Sequence, residues 1–229
     1  IGNASIYPDK KECTMTNNNV NLEIMQFVEQ QILPRYTAFG KSHGLTHVQH
    51  VINNSLELAR SLGVDVNMSY VIAAYHDLGM AGPRAIHHLT GGKILATDAR
   101  LRKWFSPQQI VIMKEAVEDH RASTSHTPRS IYGKIVADAD RDLDPETVFT
   151  RCIEYGFEHY PELDKEEQWQ RFCQHMEDKY SVHGYVRLWI PGSANEKRLK
   201  RVRDIIDNKS MLRETFERIF DKEQEKEKP

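Results

Sequence analysis

Apolar residues recur along most of this chain at spacings of three and four, the rhythm of amphipathic helices, and no stretch alternates with period two for more than a few residues. Ile24, Phe27, Val28, Ile32 and Leu33 form one such stripe, which stops at Pro34. The stretch 44–61 carries a second, with Val48, Val51, Ile52, Leu56, Leu58 and Ala59 facing a core and Gly63 as its stop. Residues 68–77 are apolar on every side, which predicts a short buried helix closed by Gly79. A loop is expected at Gly79-Met80-Ala81-Gly82-Pro83. Further helices are predicted over 88–104, 107–120, 129–140, 145–159, 165–180 and 195–220. Ser106-Pro107 and Asp144-Pro145 each supply the capping residue and first-turn proline that start a helix. The expectation is an all-α protein with short loops.

Composition narrows the function classes. Basic minus acidic residues gives 31 − 33 = −2, which disfavours a partner such as duplex nucleic acid. The apolar run Val71 to Tyr75 falls far short of the ~20 residues of a membrane span. Cys13, Cys152 and Cys173 are odd in number and lack metal-knuckle spacing, so neither a disulfide framework nor a thiolate zinc site is expected. A cytoplasmic setting follows as the expectation. Met15-Thr16 reads as a natural start. Residues 1–14 are therefore expected to be upstream sequence, 15–220 the folded domain and 221–229 a charged, solvated tail.

Histidine is the anomaly. Eight of the eleven lie between His43 and His126. His76-Asp77 ends the buried helix, where an unpaired carboxylate would be costly. Adjacent helical residues diverge by about 100°, so the two side chains can share a target only at the helix end. Upstream, His43, His47 and His50 have spacings that allow one helical face, with His47 at the start of a packed helix and the other two read as exposed or supporting. Downstream come His87-His88 followed by Gly91-Gly92, a pair that costs about 2 kcal/mol relative to alanine and so points to a close backbone approach. His120 closes another helix, and Asp138 and Asp140 follow an apolar one. Imidazole with carboxylate suits a borderline transition metal.

Read in order, His47, His76-Asp77, His87, His120 and Ala139-Asp140-Arg141 resemble the HD-domain superfamily of metal-dependent phosphohydrolases. The resemblance runs from about His43 to Arg141, and the stretch 194–203 also looks like family members. It implies a single HD-type helical bundle in which His47, His76, Asp77 and Asp140 hold one metal, with Asp140 preferred to Asp138. His87 and His120 match the extra histidines of members with two metals, and 87–95 is similar to that subgroup's His-x-x-x-Gly-small-x-Ile-Leu pattern; His88 is the alternative to His87. Asp77 would be catalytic, bridging the ions. The implied cofactor is one or two divalent ions of Mn, Fe, Co, Ni or Zn, and the implied partner a small phosphorylated substrate. Arg84, His88, Arg121 and Lys134 are the candidates to bind it, whereas Lys197, Arg198, Lys200, Arg201 and Arg203 read as a solvated face.

Departures from the family refine this. His120 is not followed by the Gly-Tyr-Pro of cyclic-dinucleotide enzymes. Leu78-Gly79-Met80-Ala81 replaces the Glu-Asp pair of stringent-response hydrolases, and Met80 stands where monophosphate nucleotidases carry a carboxylate. Two other readings stay open: a di-iron oxygenase of the same superfamily, and a ligand-sensing module without turnover.

Overall fold

The computed structural model describes residues 19–40, 43–123 and 126–226; the expected upstream stretch 1–14 and the end of the charged tail, 227–229, lie outside the described residues. Ten α-helices and no strand are found among them. They are α1 (Leu22–Gln31), α2 (Leu45–Leu62), α3 (Val66–Tyr75), α4 (His87–Thr97), α5 (Pro107–Asp119), α6 (Ile131–Ala139), α7 (Pro145–His159), α8 (Lys165–Tyr180), α9 (Ala194–Asp207) and α10 (Lys209–Lys226). The fold is all-α, and no described helix is long and apolar enough to cross a membrane.

Helix α3 organises the N-terminal part. Nine of its ten residues are buried, because α1, α2, α4, α5 and α6 all pack around it. Asp65 starts it by accepting the amides of Asn67 and Met68. Its C-terminal carbonyls find donors as well, since the Tyr36 hydroxyl bonds Ala74 O at 2.9 Å. The helix therefore ends deep in the protein with its polar groups satisfied, and whatever follows it is buried. Gly63 ends α2 at φ 65, a conformation that favours glycine.

Helices α7 to α10 build a second apolar cluster around Phe149, Phe172 and Phe216. Its link to the first runs through Asp138. That buried carboxylate accepts the amides of Trp189 and Ile190, each at 2.8 Å, while Asn195 Nδ2 donates to the carbonyls of Asp138 (2.8 Å) and Arg141 (2.7 Å). The segment that carries Asp140 is thus tied to the start of α9.

Several elements differ from the sequence expectation. The helix predicted over 88–104 breaks at Asp98, whose side chain caps a 3₁₀ turn and accepts the Tyr75 hydroxyl at 2.7 Å. The one predicted over 195–220 is two, because Asn208 turns extended and caps Met211 N. Gly79–Pro83 is no open loop: 3₁₀ turns cover Leu78–Ala81 and Arg84–Ile86. The charged stretch expected to be a solvated tail from 221 is helical as far as Lys226, with Glu223 buried and paired to Lys226 at 2.7 Å.

Candidate metal centre

Three of the clustered histidines are fixed by the helix ends that carry them. His76 caps the C-terminus of α3, and its Nδ1 bonds Ala73 O at 2.7 Å. His120 does the same on α5 through Val117 O at 2.6 Å. His87, the first residue of α4, bonds Arg84 O at 2.7 Å. A carbonyl accepts, so each Nδ1 must carry the proton, and each Nε2 is left with its lone pair. Those lone pairs face inward: His87 Nε2 lies 3.1 Å from His120 Nε2, and His76 Nε2 lies 3.2 Å from His47 Nε2. Two lone pairs at that distance repel unless a cation or a proton sits with them. The donor set fits a divalent metal on that ground.

Asp77 lies between the two histidine pairs. Its Oδ2 is 3.3 Å from His76 Nε2 and 3.5 Å from His47 Nε2; its Oδ1 is 3.6 Å from His87 Nε2 and 3.5 Å from His120 Nε2. Asp140, at the end of α6, closes the first set, with Oδ1 3.2 Å from His47 Nε2. Three triads have ligand atoms close enough to share an ion: His47–His76–Asp140, Asp77–His87–His120 and the overlapping His43–His47–Asp77. Asp77 is the group common to both neighbourhoods. The structure thus brings His47, His76, Asp77, His87, His120 and Asp140 together at one place.

Electrostatics match this reading. Burial works against a charge on His47, yet the carboxylates of Asp140 and Asp77 outweigh it and raise its pKa from 6.5 to about 9. His87 is lowered to about 4 by burial first and by neighbouring His120 second, so it is a neutral, ligand-ready imidazole at ordinary pH. Asp77 is held far below the usual carboxylate range: burial opposes this, but His76 and the other imidazoles win. In the metal-free chain the His47 proton contributes stability that is fully present below pH 6.5 and lost as the pH rises through about 9. An incoming cation must displace that proton. Metal uptake is therefore expected to release protons, and its apparent affinity to climb as the pH rises toward 9. Calorimetric metal titrations in two buffers of different ionisation enthalpy would show it; an affinity that does not vary with pH would contradict it.

Residues 44–143 match the family described as "HD domain". The chain carries an HD domain. Every one of the six clustered ligand candidates falls within it. No curated protein matches the chain. A crystal structure from an uncultured Thermotogales bacterium, described as a "predicted HD superfamily hydrolase", is similar at 23% identity and a TM-score of 0.46, covering 68% of this chain and 86% of that one.

Around this HD domain the structure sorts the remaining candidates. His43, read as exposed or supporting, has its Nδ1 2.7 Å from Asp77 Oδ2. It stands in the turn before α2, since the helix begins only at Leu45. His50 bonds Asn54 instead, at 2.9 Å. Asp138 faces the backbone at 189–190, as described, and burial raises its pKa to about 6 against the pull of those two amides. Lys134 shares that face of α6, four residues earlier, and does not line the cavity beside the cluster. Arg121 Nη1 is spent on Ala85 O at 2.6 Å, and with His88 it lines a neighbouring depression near Glu118 and His126. Lys197, Arg198, Lys200 and Arg201 are exposed, as a solvated face should be.

Arg84 does reach the cluster. It lines a cavity of about 280 Å³ together with His43, His47 and Asp140. Arg141, Arg151 and Lys179 line the same cavity, and the sequence reading named none of them as substrate contacts. Arg141 bonds Asp140 Oδ2 and His120 O, each at 2.8 Å. Arg151 and Lys179 come from α7 and α8, beyond the HD domain.

Proposed function

We propose that this chain is a metal-dependent hydrolase of a phosphate ester or phosphoanhydride, acting on a nucleotide or another small phosphorylated metabolite. One observation carries the reading: a carboxylate set between two pairs of inward-facing imidazoles, beside a cavity walled by cations. His47, His76 and Asp140 would hold one ion and His87 and His120 a second, with Asp77 between them. Imidazole and carboxylate together suit Mn, Fe, Co, Ni or Zn. Such an ion, when bound, lowers the pKa of water toward neutrality and polarises a phosphoryl oxygen.

The chain's own groups supply the rest. Asp77 stays ionised, which suits it to orient the attacking water rather than to carry its proton. His43 donates Nδ1–H to Asp77, leaving Nε2 as the basic nitrogen that can take up that proton. Arg84, on the wall of the cavity, would bind phosphoryl oxygens, whose geometry guanidinium matches in a bidentate way, while Arg141, its Nη atoms held by Asp140 and His120 O, would supply charge.

The test is elemental analysis of protein purified without added metal, followed by a phosphate-release screen over nucleotides and sugar phosphates under anaerobic conditions. Release without oxygen, lost in a His76→Ala/Asp77→Ala double variant, is the expected result. Oxygen uptake coupled to C–H oxidation, with no oxygen-independent release, would move the assignment to an oxygenase.

A further inference from the structure

The cavity beside Asp140 collects cations from four elements: Arg84 from the 3₁₀ turn before α4, Arg141 after α6, Arg151 from α7 and Lys179 from α8. Two are partly neutralised. Arg141 pairs with Asp140 at 2.8 Å and Arg151 with Asp142 at 3.2 Å. Lys179 forms no ion pair among the described residues and lies against the Tyr180 ring, 5.1 Å from its centroid. The Arg141 Nε is buried without a hydrogen-bond partner. Like charges gathered on one wall repel one another, and an anion in the cavity would relieve that repulsion.

We propose that Arg151 and Lys179 form a second anion subsite, so that the substrate carries two anionic groups a few bonds apart. One is the phosphoryl group at the His/Asp cluster; the other is a phosphate or carboxylate at the α7–α8 wall. This rests on the hydrolase reading for the first group only. The volume of about 280 Å³ lies just under the ~300–1,000 Å³ of most ligand sites, which suits a compact dianionic metabolite rather than a large ligand wholly enclosed. Selection of the substrate then belongs to helices outside the HD domain.

The probes are inorganic phosphate, methylenediphosphonate and phosphonoacetate, titrated calorimetrically into EDTA-treated full-length protein. Both two-headed anions are expected to bind at least tenfold tighter than phosphate. Lys179→Met and Arg151→Gln should each erase that preference, Lys179→Arg should keep it, and Lys200→Gln, which removes an exposed cation elsewhere, should leave it intact. Without anion, Lys179→Met should melt no lower than the parent, because it relieves repulsion; a purely structural lysine would lower the melting temperature. Tighter binding of the diphosphonate assigns a second phosphate, and of phosphonoacetate a carboxylate. Equal affinity for one-headed and two-headed anions, or a preference that survives in both variants, overturns the proposal. Because these readings need no metal and no turnover, they stand if the hydrolase assignment fails, and they can fail while it holds.

Discussion

Replacing Asp77 with asparagine is expected to empty both halves of the cluster at once. Its two oxygens are within 3.6 Å of five imidazole nitrogens, Oδ2 toward His43, His47 and His76, Oδ1 toward His87 and His120. The amide keeps the shape and loses the charge. Removing a group that merely supports a metal ligand costs about 10–100-fold in affinity or activity, so losing a carboxylate shared by both sets should exceed about 100-fold in each. His120→Ala is the informative contrast. It touches only the Asp77–His87–His120 triad and should leave one ion on His47, His76 and Asp140. Metal content per chain and phosphate release, measured on both variants, separate the cases. An Asp77→Asn protein that still holds two ions would mean Asp77 is not the shared group. The variant should also release fewer protons on loading, since Asp77 helps to keep His47 protonated.

Gly79→Ala is expected to be the most damaging glycine-to-alanine change among the described glycines whose surroundings are known. A Cβ there would run into the His87 carbonyl, and it would lie 2.7 Å from Gly91 N and 2.8 Å from His87 C. These are main-chain atoms and cannot swing aside. Relief requires the start of α4 to back away from the turn after Asp77, and α4 carries His87. Overpacking of this kind costs about 1–3 kcal/mol and occasionally more. At about 2–4 °C per kcal/mol for a chain of this length, the melting temperature should fall by roughly 2–12 °C. Affinity for the second ion should fall with it. Gly91→Ala offers a milder reference, its Cβ meeting His76 O at 3.0 Å. Scanning calorimetry and metal titration on the two variants provide the check; a Gly79→Ala protein with unchanged melting and loading would show that α4 is free to shift.

What the sequence made legible was local. Ser106-Pro107 and Asp144-Pro145 start helices where expected, Gly63 stops one, and the apolar run 68–77 is the buried centre. The close approach inferred from Gly91-Gly92 is real: the first meets the end of α3 and the second meets Glu118 on α5. The six clustered histidines and aspartates could be named because helix ends hold them, and helix ends have sequence signals. Asp98 and Asn208 break helices because their side chains compete for backbone amides, a contest that apolar spacing does not register. Arg121 was chosen for nearness in sequence to His120, but one step along the chain at a helix end turns a side chain by about 100°; Lys134 was chosen for nearness to Asp138, and the face they share meets the backbone at 189–190 instead of the cluster. Arg151 and Lys179 were invisible for the opposite reason. They reach the cavity only because the second apolar cluster docks on the first, through contacts fifty or so residues apart such as those of Asp138 with the amides at 189–190.

The imidazoles of His76, His87 and His120 are each anchored by a carbonyl three residues back. Their orientation is therefore settled by folding and owes nothing to the ion. Loading then costs little conformational freedom, and the rigid spacing of the nitrogens can discriminate between cations by radius and coordination number, as a mould does, instead of adapting to whichever arrives.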